Sequence, residues 1–287
     1  MARRARRSAH RSVRRPRRLP RLVGNTALLL TLGLLAWPPA AGPLAAAQTG
    51  TATTVTVERG ERTITVVQRA LASEGARTIL NNPNCEPEIR TNLFVGPPPG
   101  FVETTIEATR LTSAIAIVRV PDGDGDETIE LLPGRATIDR PGCLETIDDE
   151  GAEPVVLQQG RTRMTGTRFW LEQDTDLARL DGPVELTRRS EDDTVTLEAS
   201  AASMLLDVRT EVATLEGDVV VTSDERVSRA DRLELDEDAG IAVLTGSPAV
   251  STRGEEEVRG STLRYDLETD EVIAAGAVGA RFAVDLD

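Results

Sequence analysis

The sequence predicts an all-β protein, a stacked array of antiparallel hairpins, and two observations carry that prediction. The first is a four-fold repeat in the second half of the 287 residues. Gly182, Gly217, Gly246 and Gly276 follow one another at spacings of 35, 29 and 30. Sixteen positions before each glycine stands a small residue: Gly166, Ala201, Ala230 or Gly260. Thirteen and eleven positions before stand large apolar residues: Phe169 and Leu171, Met204 and Leu206, Leu233 and Leu235, Leu263 and Tyr265. An acid follows directly (Glu172, Asp207, Asp236 or Asp266), and Leu180, Leu215, Leu244 or Ala274 precedes the glycine by two. Four positions after it comes Leu186, Val221, Val250 or Ala280. A period near 30 marks an array in which each unit buries its apolar face against its neighbours, giving an elongated surface rather than a compact catalytic pocket. The second observation is period-two alternation inside the units, bounded by Asp and Gly clusters, which is the signature of half-buried strands.

Taken from the N-terminus, residues 1–47 read as a leader. Ten arginines crowd Arg3 to Arg21 without an acid, an apolar run follows from Leu22 to Trp37, and small residues end at Ala45-Ala46-Ala47. This is the basic, apolar and cleavage-site order of a secretory signal peptide, cut after Ala47. An uncleaved anchor is the competing reading. The sixteen-residue run contains Asn25 and is followed by Pro38 and Pro39, so it falls short of the ~20 residues a spanning helix needs. The paired arginines near Pro16 fit twin-arginine export only weakly, because so basic a stretch produces such pairs by chance. No lipid-attachment cysteine stands at the cut, so the mature chain is expected to be soluble.

Residues 48–160 read as a divergent first part of the array. Strands are predicted at Val55–Val57, Thr63–Val67, Leu93–Val95, Thr104–Leu111, Ala114–Val120, Thr128–Leu132 and Ala136–Ile138. A short helix over Val66 to Leu80 would cap the end of the array. Pro97-Pro98-Pro99-Gly100 is a loop or stiff connector. A fifth unit is expected to start at Ala108 and Leu111, with Gly134 as its glycine and a ten-residue insertion around Asp122–Asp126. That insertion resembles a calcium loop superficially, but it lacks the glycine at its sixth position and has Pro133 where the twelfth-position glutamate belongs. A solvated hairpin tip is the preferred reading. The only cysteines, Cys85 and Cys143, form an isolated pair 58 residues apart. In an exported chain they are expected to be disulfide-bonded, a constraint worth about 4 kcal/mol in the chain-entropy model.

Residues 161–287 hold the repeats. In the second unit Met204 and Leu206 precede a turn at Asp207–Glu211, then Leu215, Val219 and Val221 resume the apolar alternation. In the third, Leu233 and Leu235 precede a turn at Asp236–Gly240, then Ala242, Leu244, Pro248 and Val250 follow in alternation with smaller or polar residues. The acid at each turn can accept from backbone amides two residues on. The glycine after the second apolar pair marks a bulge or bend. The small residue stands three positions before the first large one, an odd offset that puts it on the opposite face unless the strand is interrupted between them.

Charge and chemistry narrow the function. All 33 basic residues are arginine; ten leave with the leader, so 23 face 47 acids, a net of about −24. A nucleic-acid partner is disfavoured, since such binding runs on phosphate neutralisation, and so is adhesion to anionic membrane. The single histidine, His10, lies in the leader. The mature chain therefore has no Ser-His-Asp triad, no Cys-His pair, no histidine metal ligand and no lysine nucleophile. Catalytic residues, cofactor and metal are all expected to be absent. Carboxylate runs such as Asp148-Asp149-Glu150 and Glu255-Glu256-Glu257 read as solvated faces. Counting alone leaves two-carboxylate glycosidase chemistry open, yet the mature chain has only six aromatics to hold a sugar: Phe94, Phe101, Phe169, Trp170, Tyr265 and Phe282. The inward face offers mostly aliphatic residues, which suits either acyl chains or a plain filled core, and alternation does not separate the two.

The repeat itself resembles the OstA-like domain of the LptA family, periplasmic bridge proteins of lipopolysaccharide transport. Gly260, Leu263, Tyr265 and Asp266 with Gly276 and Val278, and Ala230, Leu233, Leu235 and Asp236 with Gly246, carry the match. It covers residues 160–287 clearly and 50–160 weakly. The resemblance implies an open, twisted β-jelly-roll with acyl chains in its apolar interior. It implies head-to-tail stacking through end strands, towards inner- and outer-membrane transport components, and lipopolysaccharide or a related glycolipid as partner. The lipid-facing candidates are Phe169, Leu171, Leu180, Met204, Leu206, Leu215, Val219, Val221, Leu233, Leu235, Leu244, Val250, Leu263, Tyr265 and Val278. The irregular first half, the acidity and the expected disulfide depart from the family. The alternatives are a structural envelope or surface β-repeat protein with a filled core and, more remotely, an acidic-site hydrolase. The strand-like segment Val278 to Leu286 is expected to offer an edge for self-association.

Overall fold

The computed structural model describes residues 53–59, 62–69, 76–96, 101–123, 125–172, 175–269, 271–276 and 279–281. The leader, the Pro97–Gly100 connector, Val278 and the segment 282–287 lie outside the described residues. What is described is all β. In chain order the strands are β1 (Thr54–Arg59), β2 (Arg62–Arg69), β3 (Arg77–Glu86), β4 (Ile89–Val95), β5 (Phe101–Ile106), β6 (Thr109–Ser113) and β7 (Ile115–Pro121). Then come β8 (Thr128–Leu132), β9 (Arg135–Ile138), β10 (Leu144–Asp148), β11 (Val155–Gln159), β12 (Thr162–Gly166), β13 (Arg168–Glu172) and β14 (Leu177–Arg189). The series closes with β15 (Val195–Asp207), β16 (Val212–Ser223), β17 (Arg226–Asp236), β18 (Ile241–Arg253), β19 (Glu256–Asp266), β20 (Val272–Ala275) and β21 (Gly279–Arg281). Nineteen strands share one antiparallel hydrogen-bonded sheet, and β9 and β10 pair apart from it.

That sheet is folded into two facing layers, because its long strands bend in the middle. The ladders between successive strands from β14 to β19 break at Asp181/Val184, Ser200/Ser203, Glu216/Val219, Arg229/Arg232 and Thr245/Ala249. Each break lies where the repeat places its glycine or its small residue. The residue between β12 and β13, Thr167, continues the same crease, since both strands pair with β14. Ala114, between β6 and β7, does so in the first half. The breaks form a spine. On one side lie 184–189, 195–200, 219–223, 226–229, 249–253 and 256–259, extended through β12, β11, β6, β5 and β2 to β1. On the other lie 177–181, 203–207, 212–216, 232–236, 241–245 and 262–266, extended through β13, β8, β7 and β4 to β3. β1 and β3 at one end, and β20 and β21 at the other, each carry a ladder on one side only among the described residues. The roll is open, not a closed barrel.

The spine explains the odd offset in the repeat. Ala201 and Met204 both face inward although three positions apart, because the bend at 202 inserts one residue between the two layers. It also explains the residue types. A Cβ on Gly182 would stand 2.1 Å from the Ala202 carbonyl oxygen, and one on Gly166 would stand 2.5 Å from that of Asp181. Side chains there would push the strands apart at the crease. At the turns, Asp207 accepts from the amides of Arg209 (3.0 Å) and Thr210 (2.9 Å), and Asp266 from those of Glu268 (3.0 Å) and Thr269 (2.9 Å). This is the Asx-turn role the sequence assigns them.

Several expectations for residues 48–160 are corrected. The helix over Val66 to Leu80 does not form: its described ends lie in β2 and β3. Ile64, Val66 and Gln68 are buried and alternate with exposed or half-buried neighbours, and pairing to β1 and β5 overrides any helical spacing. Thr104–Leu111 is two strands with a turn at Glu107-Ala108, where Glu107 has a φ of 50°. The fifth unit exists, but it starts at Ser113 rather than Ala108. Ala116 and Leu131 pair directly and take the places of Met204 and Leu215. They are 15 positions apart instead of 11, so the loop is longer by four residues, not ten. Strands β3, β10 and β11 were not anticipated. β3 contains Asn81-Asn82-Pro83-Asn84 and two register breaks, which read locally as a loop.

The β9–β10 hairpin packs on the outer face of the second layer. Ala136, Ile138, Leu144 and Ile147 cover a small core of Ile79, Leu93, Val95, Ile115 and Ile117. Cys85 at the end of β3 is joined to Cys143 before β10, with a Cα separation of 5.3 Å. The expected disulfide is therefore formed, and it staples this hairpin to the sheet.

Candidate functional site: an apolar interior and its mouth

Thirteen of the sequence-predicted apolar residues converge on the interior between the layers. Phe169, Leu171, Leu180, Met204, Leu206, Leu215, Leu233, Leu235, Leu244, Leu263 and Tyr265 line the second layer and are at most 2% exposed. Val219 and Val221 face them from the first layer. Val250 does not join them. The bend Gly246-Ser247-Pro248 is one residue longer than its counterparts, so Ala249 takes the place held by Val184 and Val219. Ala249 and Ser251 are buried and Val250 lies half-buried on the outer face between Arg229 and Arg259. Val278 falls outside the described residues.

Sequence reading missed the first half's share of this interior. Ile64, Val66, Phe94, Val102, Ile106, Leu111, Leu157 and Met164 belong to the same buried cluster. The alternation Val102, Thr104, Ile106 was a usable signal; the isolated Phe94 was not. Among the described residues, the inward side chains of the two layers pack into this one cluster.

Opposite the spine, the hairpin turns of the two layers face each other across a mouth. Polar side chains close it. Gln159 at the end of β11 donates to the Glu211 carbonyl in the β15–β16 turn. Thr162 donates to the Glu237 carboxylate in the β17–β18 turn. Arg188, its side chain 3% exposed, lies 3.4 Å from Glu237 and donates to the Leu267 carbonyl at 3.1 Å. Ser228 and Ser251 of the first layer both hydrogen-bond the Tyr265 hydroxyl of the second, Ser251 at 3.1 Å. Burial pushes the Glu237 carboxyl above its ordinary range, an effect opposed by Arg188 and Arg161. The partners are displaced along the sheet: β11 and β12 meet turns of strands beyond β14, so the layers cross rather than align, as twisted sheets do.

On the outer face of the second layer, Glu130 bridges Arg119 (2.8 Å) and Arg168 (2.6 Å), and both guanidiniums lie over Trp170, at 5.9 and 5.1 Å. Glu86 also pairs with Arg119, at 2.9 Å, so two carboxylates balance the two guanidiniums. Among the described residues no group of three or more His, Cys, Asp or Glu side chains converges as a metal site.

Comparison with known proteins follows this geometry. Residues 152–271 match the family described as LptA/(LptD N-terminal domain) LPS transport protein. No curated protein matches the chain. Among solved structures, it is similar to LptH of Pseudomonas aeruginosa, the LptA-homologous periplasmic component of the lipopolysaccharide transport device. That similarity has 16% identity and a TM-score of 0.34, covering 41% of this chain and 84% of that one. The matched segment spans the bent strands from β12 to β19 together with β11. Over residues 152–271, then, the chain is similar to the family of LptA and the LptD N-terminal domain.

Proposed function

We propose that the chain is a non-enzymatic periplasmic bridge that carries lipopolysaccharide or a related envelope glycolipid towards the outer membrane, with its acyl chains held between the two layers. The observation that supports this most is the shape of the buried surface. One aliphatic core runs the length of a two-layer roll whose strands run continuously through its spine, while side-chain contacts join the layers along its mouth. The family match of residues 152–271 points the same way. In this reading residues 1–47 are the export leader, 48–160 a divergent start of the array and 161–287 its repeat region. The single-sided strands at both ends would accept a strand from a neighbour, so self-association or docking to membrane transport components would proceed head to tail.

The closed interior favours one competing reading, a structural envelope protein with a filled core. Photo-crosslinking separates the two. A photoreactive residue at Leu206, Leu235, Leu244 or Tyr265 should capture lipid in the native envelope, while one at Asp207 or Arg232, outside the interior, should not. Equal labelling of both sets, or no stoichiometric acyl species by mass spectrometry of native protein, would support the filled core.

A further inference from the structure

The interior side chains are buried in one cluster, so acyl chains can reach them only where the layers part. Six strands, β14 to β19, run through the spine without a chain break, so the layers stay covalently joined there. At the mouth no strand ladder crosses from one layer to the other in the repeat region. The contacts there are side chain to turn, and water can replace them once the layers separate.

We propose that the polar seam formed by Gln159, Thr162 and Arg188 against the turns at Glu211, Glu237 and Leu267 is a gate that opens to admit acyl chains laterally into the interior. The inference rests on the lipid reading of the fold. The seam occupies one stretch of the mouth, where three turns of the second layer are tied to the ends of β11, β12 and β14. Its closed state is incompletely satisfied. Gln159 Oε1 and Arg188 Nε are buried without a hydrogen-bond partner, and Nε makes only the 3.4 Å ion-pair contact with Glu237. Buried polar atoms left unpaired raise the free energy of the closed arrangement. Beside the seam lies a hollow of about 250 Å³ bordered by Arg188, Leu197, Ser223, Tyr265 and Leu267. Its polar rim sits over Leu197 and Tyr265, members of the interior core, so it leads from solvent to apolar surface.

The experiment locks the seam. Thr162→Cys with Glu237→Cys, and separately Gln159→Cys with Glu211→Cys, place thiols across the mouth; the second pair leaves the Arg188–Glu237 contact intact should the first not fold. Ser203→Cys with Glu216→Cys, neighbours within the second layer, is the control. Each full-length exported variant is bridged with a short bis-maleimide, checked by circular dichroism and peptide mapping against the native Cys85–Cys143 bond, and mixed with lipid A in detergent micelles. Bound lipid is weighed by mass spectrometry after gel filtration. The mouth-bridged proteins should take up lipid A at least tenfold more slowly than their unbridged forms, while the bridged control should match wild type. Equal uptake by bridged and unbridged mouth variants would overturn the gate. Wild-type protein that takes up no lipid A would instead remove the lipid reading, and the gate with it.

Discussion

Arg188 is the residue on which the mouth depends most. Its guanidinium is buried and its nearest charge, Glu237, retains 12% side-chain exposure. Removing one member of a buried pair leaves the other uncompensated. Arg188→Ala is therefore expected to cost about 3 kcal/mol, the low end for such a loss because Glu237 can protonate. Arg188→Met combined with Glu237→Gln should recover most of it, as urea unfolding of the singles and the double will show. Additive losses would mean that the two groups are not coupled. The raised Glu237 carboxyl adds a pH dependence. A carboxyl whose pKa rises on folding favours the native state below its unfolded value, about 4.3, and that advantage is lost as pH climbs through the folded value. The stability of wild type relative to Glu237→Gln should fall across that window and then level off; a difference that grows with pH in favour of wild type would contradict the burial argument. Asp207 and Asp266 behave oppositely. Bonds from turn amides, Thr210 and Thr269 first, hold their carboxyls below the ordinary range, so their contribution is lost as pH falls through the folded values.

At the scale of elements, the bends and the stapled hairpin make the architecture. A methyl group at Gly182 would collide with the Ala202 backbone across the crease. Gly182→Ala should cost about 1–3 kcal/mol by overpacking. Gly254→Ala, at a turn with open space around the glycine but a φ of +57°, should cost only about 1 kcal/mol of backbone strain. Equal shifts of the denaturation midpoint would show that the crease tolerates a side chain. Replacing Cys85 and Cys143 by serine releases the hairpin over the outer core and is expected to lower stability by about 4 kcal/mol. Calorimetry with and without reductant should show the same gap for wild type and none for the double variant.

For the whole molecule, the proposed head-to-tail assembly would run through the one-sided strands. β1 and β21 border opposite ends of the first layer, so a strand added at one end would come from the next copy's other end, and such a contact would propagate instead of closing. The acidic surface, 47 acids against 33 arginines in the full chain, opposes this by self-repulsion that salt screens. Ultracentrifugation of the exported protein should reveal weak oligomers that grow with concentration and with moderate salt. Proline at Phe282 or Val284, just beyond β21, should suppress them by removing a ladder donor. A strict monomer throughout, or a closed dimer indifferent to those prolines, would show that this edge is not used.

What the sequence determined by itself was local and periodic. Thirteen of the fifteen candidates, from Phe169 to Tyr265, are buried between the layers, because a strand with one buried face must repeat every second residue. The turn acids and the cysteine pair were legible for the same reason: each needs only a neighbour in sequence or one unique partner. Tertiary structure decided the rest. The misplacement of Val250 came from one extra residue in a bend, and a shift of one reverses every side chain beyond it. The helix expected over Val66–Leu80 yielded to strands whose partners lie far along the chain, β5 for β2 and β4 for β3. Most of all, that the repeat's glycines form one crease, and that Arg188 thereby meets Glu237 across the mouth, is a property of two layers folded face to face. No period in the sequence encodes it, since contacts across the interior join residues whose separation is set by the bend and not by the strand.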